Sequence, residues 1–264
     1  MRLLLALFLW TGLAQAEGLT EVDVELVLAV DVSRSMEPFE LEIQRRGYAA
    51  ALRSPEVHAA IARGPLGYVA LTYIEWAGTQ RVIVPWTRVE TPADANAFAD
   101  QLTVAFQDGF RRTSISGALD FAVRSLETNA FLGLRQVIDV SGDGPNNLGP
   151  PVLAARARAL AQGIVINGLP LMTRRDGPTA LWGIDDLDVY YENCVIGGPG
   201  AFVIPVTDWD DFEGAVRRKL ILELAGPPTG PGLGPRLWRA QAEGYNCLIG
   251  EEIWERNRGL FAYP

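Results

Sequence analysis

The segment from Val22 to Val30 constrains the fold more than any other. It starts with alternation, Val22 and Val24 against Asp23 and Glu25, and ends in a continuous apolar run, Leu26-Val27-Leu28-Ala29-Val30. A strand with one solvated face keeps its alternation to the end. A strand that loses it is covered on both faces, as in parallel sheets sandwiched between helices. The following segments agree. A helix is expected from about Glu37 to Arg53, with Phe39, Ile43, Gly47 and Ala50 on its apolar face, and Ser54-Pro55 opens a short second helix ending near Gly64. Strands at 67–76 and 80–85, linked by Ala77-Gly78-Thr79, suggest a hairpin and therefore one antiparallel edge strand.

Thr91-Pro92 caps a helix carrying Phe98 and Leu102, and a loop at 106–112 leads to another with Ile115, Leu119, Ala122, Val123 and Leu126 inward. Strands at 136–140, 164–169 and 201–206 then alternate with helices at 151–162 and 208–224, the last turning Trp209, Phe212, Val216 and Leu220 inward. This alternation predicts an α/β fold: a doubly wound, mostly parallel open sheet of about six strands, with helices on both faces and one antiparallel edge strand.

The two ends read differently. Arg2, the apolar run Leu3 to Trp10 and Ala14-Gln15-Ala16 have the layout of a secretory signal peptide over residues 1–16, with Glu17 the first mature residue. The apolar run falls short of the ~20 residues that a membrane span requires, and no later segment is long and apolar enough. The expectation is an exported protein, periplasmic or secreted, with no transmembrane segment in the mature chain. Residues 17–225 form the expected domain. Residues 226–235, rich in glycine and proline, read as a linker, and 236–264 as a tail packing back on the domain. Cys194 and Cys247 are the only two cysteines. In an oxidising compartment an even pair invites a disulfide, worth roughly 2–4 kcal/mol, with two buried free thiols as the other reading.

Charge narrows the function. Asp and Glu number 32 against 23 Lys and Arg, a formal net charge of -9, which argues against a nucleic-acid partner because phosphates need a basic surface. His58 is the single histidine and Lys219 the single lysine. Histidine-based catalysis and multi-histidine metal clusters are thereby almost excluded.

In an open α/β sheet, ligands bind beyond the carboxyl ends of the strands. Three positions there carry suitable groups: Asp31-Val32-Ser33-Arg34-Ser35 after the first strand, Thr113 at the start of the helix over residues 114–126, and Asp143 in Ser141-Gly142-Asp143-Gly144. Two carboxylates and three hydroxyls form an all-oxygen set suited to magnesium, manganese or calcium rather than zinc or copper. Each piece also has an ordinary role, Asp31 and Thr113 as helix caps and Asp143 as a turn residue.

The stretch Asp31-x-Ser33-x-Ser35 after an apolar strand resembles the metal-ion-dependent adhesion site of von Willebrand factor A domains. Thr113 and Asp143 match the threonine and aspartate from two further loops, and the order and spacing of elements resemble that family from about Val22 to Leu224, most of all its bacterial exported members. The resemblance implies that Ser33 and Ser35 bind a divalent cation directly, magnesium first, while Thr113 binds directly or through water. Asp31 and Asp143 would hold coordinated waters or switch to direct contact. It further implies a non-enzymatic module whose cation accepts a carboxylate from a partner protein. Two departures stand out: Arg111-Arg112 replace a glycine-rich approach to Thr113, and Ser141-Gly142 precede Asp143 where Thr-Asp is usual. The arginines read as solvated loop charges or as a clamp for an acidic partner.

Two other functions remain at this level. A metal-dependent phosphoester hydrolase is compatible with oxygen ligands but lacks a histidine or lysine near the rim as general acid or base. A structural envelope protein with a vestigial site is the third. The glycines at 197–200 read as a tight turn, Asp185, Asp186 and Asp188 as a solvated loop, Glu75 as a surface strand residue and His58 as an exposed helix residue.

Overall fold

The computed structural model describes residues 18–103, 111–173, 181–225 and 244–261. The expected leader at 1–16, the linker at 226–235 and the first part of the tail lie outside the described residues, as does most of the 106–112 loop. Five strands form one sheet: β1 (Thr20–Asp31), β2 (Val69–Trp76), β3 (Gln80–Val89), β4 (Phe131–Gly142) and β5 (Val165–Pro170), in the order β3-β2-β1-β4-β5. The pairs β1–β2, β1–β4 and β4–β5 are parallel, and β2–β3 is antiparallel. Pro85 is tolerated in β3 because β3 is the edge, and the β2–β3 register shifts beside it, between Leu71 and Tyr73.

Helices cover both faces. Against one face lie α1 (Pro38–Leu52), α2 (Pro55–Ala62), α3 (Pro92–Leu102) and α7 (Phe212–Ala225), packing on Leu26, Leu28 and Val30. Against the other lie α4 (Ile115–Thr128), α5 (Val152–Ala161) and the turn α6 (Leu187–Tyr190), which runs into a π-helical turn at Tyr191–Val195; these pack on Val27 and Ala29. Each of the residues from Leu26 to Val30 is wholly buried, as the unbroken apolar run requires. A final helix, α8 (Ile249–Asn257), follows the disulfide that joins Cys194 to Cys247, so the disulfide expectation holds.

Four expectations change. The strand expected at 201–206 makes only isolated parallel bridges beside β5, Gly168 to Val203 and Leu171 to Val206. Gly168 N–H donates to Phe202 O, Ile204 N–H to Gly168 O and Val206 N–H to Pro170 O; the bond missing from this ladder is the one residue 170 would donate, and proline has no N–H. β4 begins five residues before the expected Gln136, where Leu132 and Leu134 are exposed and only β1 supports the backbone. Finally, α1 is rotated relative to the expected face. Of the expected face, Gly47 is buried and Ile43 packs on the core, but Phe39 is exposed, whereas Leu41, Tyr48 and Leu52 are buried together with Glu40, Gln44 and Arg45. Arg45 explains the rotation. It pairs with Glu75, itself fully buried and also bound by Arg81, so Glu75 is no surface residue. It faces α1 and takes no part in the oxygen set.

Candidate metal centre

Strand order places the site. From β1 the chain first builds outward through β2 and β3, then returns to add β4 on the other side of β1. The carboxyl ends of β1 and β4 therefore flank the switch point, the crevice where doubly wound sheets bind ligands. Asp31 ends β1, and Asp143 directly follows β4.

Four of the five candidate residues form one hydrogen-bonded chain. Ser33 N–H donates to Asp31 Oδ1 at 2.6 Å, closing a tight local turn. Ser33 Oγ and Ser35 Oγ share a bond of 2.8 Å, and Ser35 Oγ donates to Asp143 Oδ1 at 2.9 Å across 108 residues of sequence. Asp143 N–H approaches Asp31 Oδ2 at 3.4 Å. Asp31 is not a helix cap, since α1 starts only at Pro38. Thr113 is not one either: Ser114 caps α4, its Oγ accepting from Gly117 N–H at 3.2 Å.

Thr113 is buried but contributes no hydrogen bond to that chain. Instead its backbone is zipped to the loop after Asp143. Thr113 N–H donates to Asn147 Oδ1 at 3.0 Å, and Asn147 N–H donates to Thr113 O at 2.8 Å. The other side of this segment is held by the β2–β3 turn, where Gly78 N–H donates to Arg111 O and Ser114 N–H to Ala77 O. Arg112 is no solvated loop charge. Its guanidinium donates to Asn147 O at 2.5 Å and stacks 3.5 Å over the Trp254 ring of α8.

Sequence reasoning missed the supports around these residues. Gln44 Nε2 donates to Asp31 O at 3.0 Å; its only signal was a polar residue at a helix position next to the apolar stripe. Gly142 leaves room that a side chain would take. A Cβ there would lie 2.9 Å from Asp31 Oδ2 and 3.0 Å from both Trp76 and the Tyr191 hydroxyl. Gly142→Ala is expected to lower stability by about 1–3 kcal/mol through overpacking and to displace the Asp31 carboxyl. Urea unfolding of metal-stripped protein checks it, and an unchanged midpoint would refute the close contact.

The electrostatics suit a dication. Asp31 is fully buried; that burial, and then the neighbouring Asp143 carboxylate, hold its carboxyl well above the usual range, partly offset by hydrogen bonds from Ser33 and Asp143. Two carboxylates converging in a buried place repel, and a small dication relieves that repulsion. Among the described residues no three His, Cys, Asp or Glu side chains gather at metal-binding distance; beside the two carboxylates stand the hydroxyls of Ser33 and Ser35. The residues fit a hard cation with mixed carboxylate and hydroxyl ligands.

Known proteins of the same shape share little sequence. The pilus adhesin SpaC from Lactobacillus rhamnosus GG aligns with a TM-score of 0.57 at 14% identity over 78% of this chain and 31% of its own. A von Willebrand factor type A protein from Catenulispora acidiphila aligns at 0.51 and 15% identity, over 77% of this chain and 43% of its own. Proximal thread matrix protein 1 from the mussel byssus, in a structure with a zinc-occupied MIDAS motif, aligns at 0.50 and 14%, over 75% of this chain and 46% of its own. This chain thus spans less than half the length of each. No curated protein matches it. The fold is that of a von Willebrand factor A domain, as the resemblance implied. Residues 21–228 match the model of a family described as Protein of unknown function (DUF1194), and the chain belongs to that family.

Proposed function

We propose that this protein is an exported, non-enzymatic binding module that grips a partner protein through a divalent cation, magnesium first and manganese or calcium as substitutes. The observation that carries this is the bond from Ser35 Oγ to Asp143 Oδ1, which draws the Asp31-x-Ser33-x-Ser35 turn and the loop after β4 into one cluster of hard oxygen donors. Ser33 and Ser35 would hold the cation through their hydroxyls and Thr113 directly or through water, while Asp31 and Asp143 orient coordinated waters or bind directly. Bound there, a divalent cation supplies a Lewis-acidic vertex that takes a carboxylate oxygen from outside. Mostly neutral ligands keep that vertex electron-poor. The mussel protein with zinc in its MIDAS motif and the pilus adhesin support this reading for proteins of this fold.

Binding is favoured over hydrolysis because neither the histidine nor the lysine of this chain stands at the rim as a general acid or base. The single histidine, His58, lies on α2 with Nε2 2.8 Å from Leu52 O, and the single lysine is buried in an ion-paired cluster behind the sheet. Export fits the signal-like N-terminus and the disulfide. Among the described residues no helix is long and apolar enough to cross a membrane, and the net charge of -9 disfavours nucleic acid.

Calorimetry on chelator-stripped protein with Mg²⁺, Mn²⁺ and Ca²⁺ tests the first half of the proposal. Saturable heat and a raised Tm are expected, and a flat titration with all three ions refutes it. Affinity capture of envelope proteins with and without chelator tests the second half. Retention that is indifferent to chelator would rule out a cation-bridged partner, and turnover of generic phosphoesters with Mg²⁺ would replace binding by hydrolysis.

A further inference from the structure

We propose that α8 is a strap, latched by the Cys194–Cys247 disulfide, that positions Thr113 for the candidate centre. The strap lies beyond residues 21–228, the part of the chain that matches the family, yet it bears on two of the three loops that make the site. Trp254 underlies the Arg112 guanidinium at 3.5 Å. Glu251 Oε1 accepts from Asn146 Nδ2 at 2.7 Å, and Gly250 sits so close to the same loop that a Cβ would lie 2.1 Å from Asn146 O. Trp182 packs against Trp254, their ring centroids 5.1 Å apart, and Asn257 Nδ2 donates to Leu181 O at 2.9 Å.

What the strap holds needs holding. Arg112 adopts φ 75°, the left-handed region that a side chain makes costly. Its contacts to Asn147 and Trp254 keep it there, and the next residue is Thr113. Asn147 then fixes Thr113 through both backbone polar groups. Arg112, Asn147 and Trp254 are therefore positioning residues: none reaches the oxygen cluster, but together they decide where Thr113 stands. The latch joins Cys247, two residues before α8, to Cys194 in the buried π-helical turn, so the strap is tied to the core at its leading end.

The test uses the full chain, with Trp254→Ala and Gly250→Ala compared with the parent. Amide hydrogen exchange of the metal-stripped proteins is read at Thr113 and Asn147, with Leu28 and Val140 as references in the sheet. Both variants are expected to exchange roughly 10-fold faster at Thr113 and Asn147 with the references unchanged, and reduction of the disulfide in the parent is expected to do the same. Equal exchange at Thr113 in the parent and both variants overturns the strap. A Mn²⁺ titration forms the second arm, which alone rests on the proposed metal reading; affinity is expected to drop about 10-fold in the variants. A parent that takes none of Mn²⁺, Mg²⁺ and Ca²⁺ sinks the metal reading and leaves exchange to decide the strap. A parent and variants that bind equally well sink the strap and leave the metal reading standing.

Discussion

Asp31→Asn is expected to reduce Mg²⁺ affinity by roughly 10- to 100-fold, the usual effect of removing a carboxylate that orients metal-bound ligands, while the metal-free protein keeps its fold and its stability. The substitution is nearly isosteric. The amide oxygen still accepts from Ser33 N–H in place of Oδ1, so the turn after β1 survives. What disappears is a buried charge that faces Asp143. Without a cation that charge is unfavourable, so its loss offsets the long contact with Asp143 N–H that the amide nitrogen gives up; with a cation it is half of the carboxylate pair that attracts the ion. The two outcomes therefore separate a binding role from a structural one. Thermal unfolding of parent and variant, each with chelator and with excess Mg²⁺, reads both. A variant that unfolds earlier in chelator, or that keeps the full Mg²⁺ shift, contradicts the assignment.

Lys219→Met is expected to cost about 3–5 kcal/mol, the penalty for leaving buried charges without their partner. Lys219 is wholly buried on α7. Its Nζ lies 2.6 Å from Asp139 Oδ1 on β4 and also bonds Glu223 one turn along the helix. Asn167 Nδ2 adds a bond to Glu223 Oε1 at 2.9 Å. Two carboxylates share one ammonium, and the excess negative charge shows in their titration. Burial, against the pull of Lys219 and with the push of Asp139, lifts Glu223 to about 7, and burial likewise raises Asp139. Both therefore bind their protons more tightly folded than unfolded. Their contribution is complete below the ordinary carboxylate range and is lost as the pH climbs through about 7. Stability of the parent should accordingly fall between pH 5 and pH 8, and Glu223→Gln should flatten that fall. Urea midpoints at the two pH values check the sign; a parent that gains stability as the pH rises would refute it. Lys219→Met is expected to be worst at the alkaline end, where both carboxylates are charged.

The elements and the rim were legible in the residues because both rest on short-range pattern. The unbroken apolar run of β1, the Ser54-Pro55 and Thr91-Pro92 helix starts and the hairpin at 77–79 are local signals, and each stands where expected. Asp31, Ser33 and Ser35 are found after the first strand because any strand of this sheet ends at the rim. Side-chain partnership was not legible. Glu75 looked like a surface residue until Arg45, 30 positions earlier, reached it from α1. The inward face of α1 escaped a hydrophobic criterion because Gln44 and Arg45 are buried there for their hydrogen bonds, to Asp31 O and to Glu75. Pro170 betrayed no sign that it would split a sixth strand, since the missing donor matters only once residues 202–206 lie beside it.

By itself the sequence determined an α/β sheet with an apolar centre, an oxygen-rich set of side chains at strand ends, and two cysteines free to pair. Periodicity and turn chemistry act over a few residues, so they can be read along the chain. Only the tertiary structure decided that Ser35 meets Asp143, that Asn147 holds Thr113, that Lys219 balances two buried carboxylates, and that α8 lies across the loops of the candidate centre. Buried polar groups must find partners wherever the fold presents them; apart from Glu223, one helical turn from Lys219, those partners stand tens to more than a hundred residues away, beyond the reach of any local pattern.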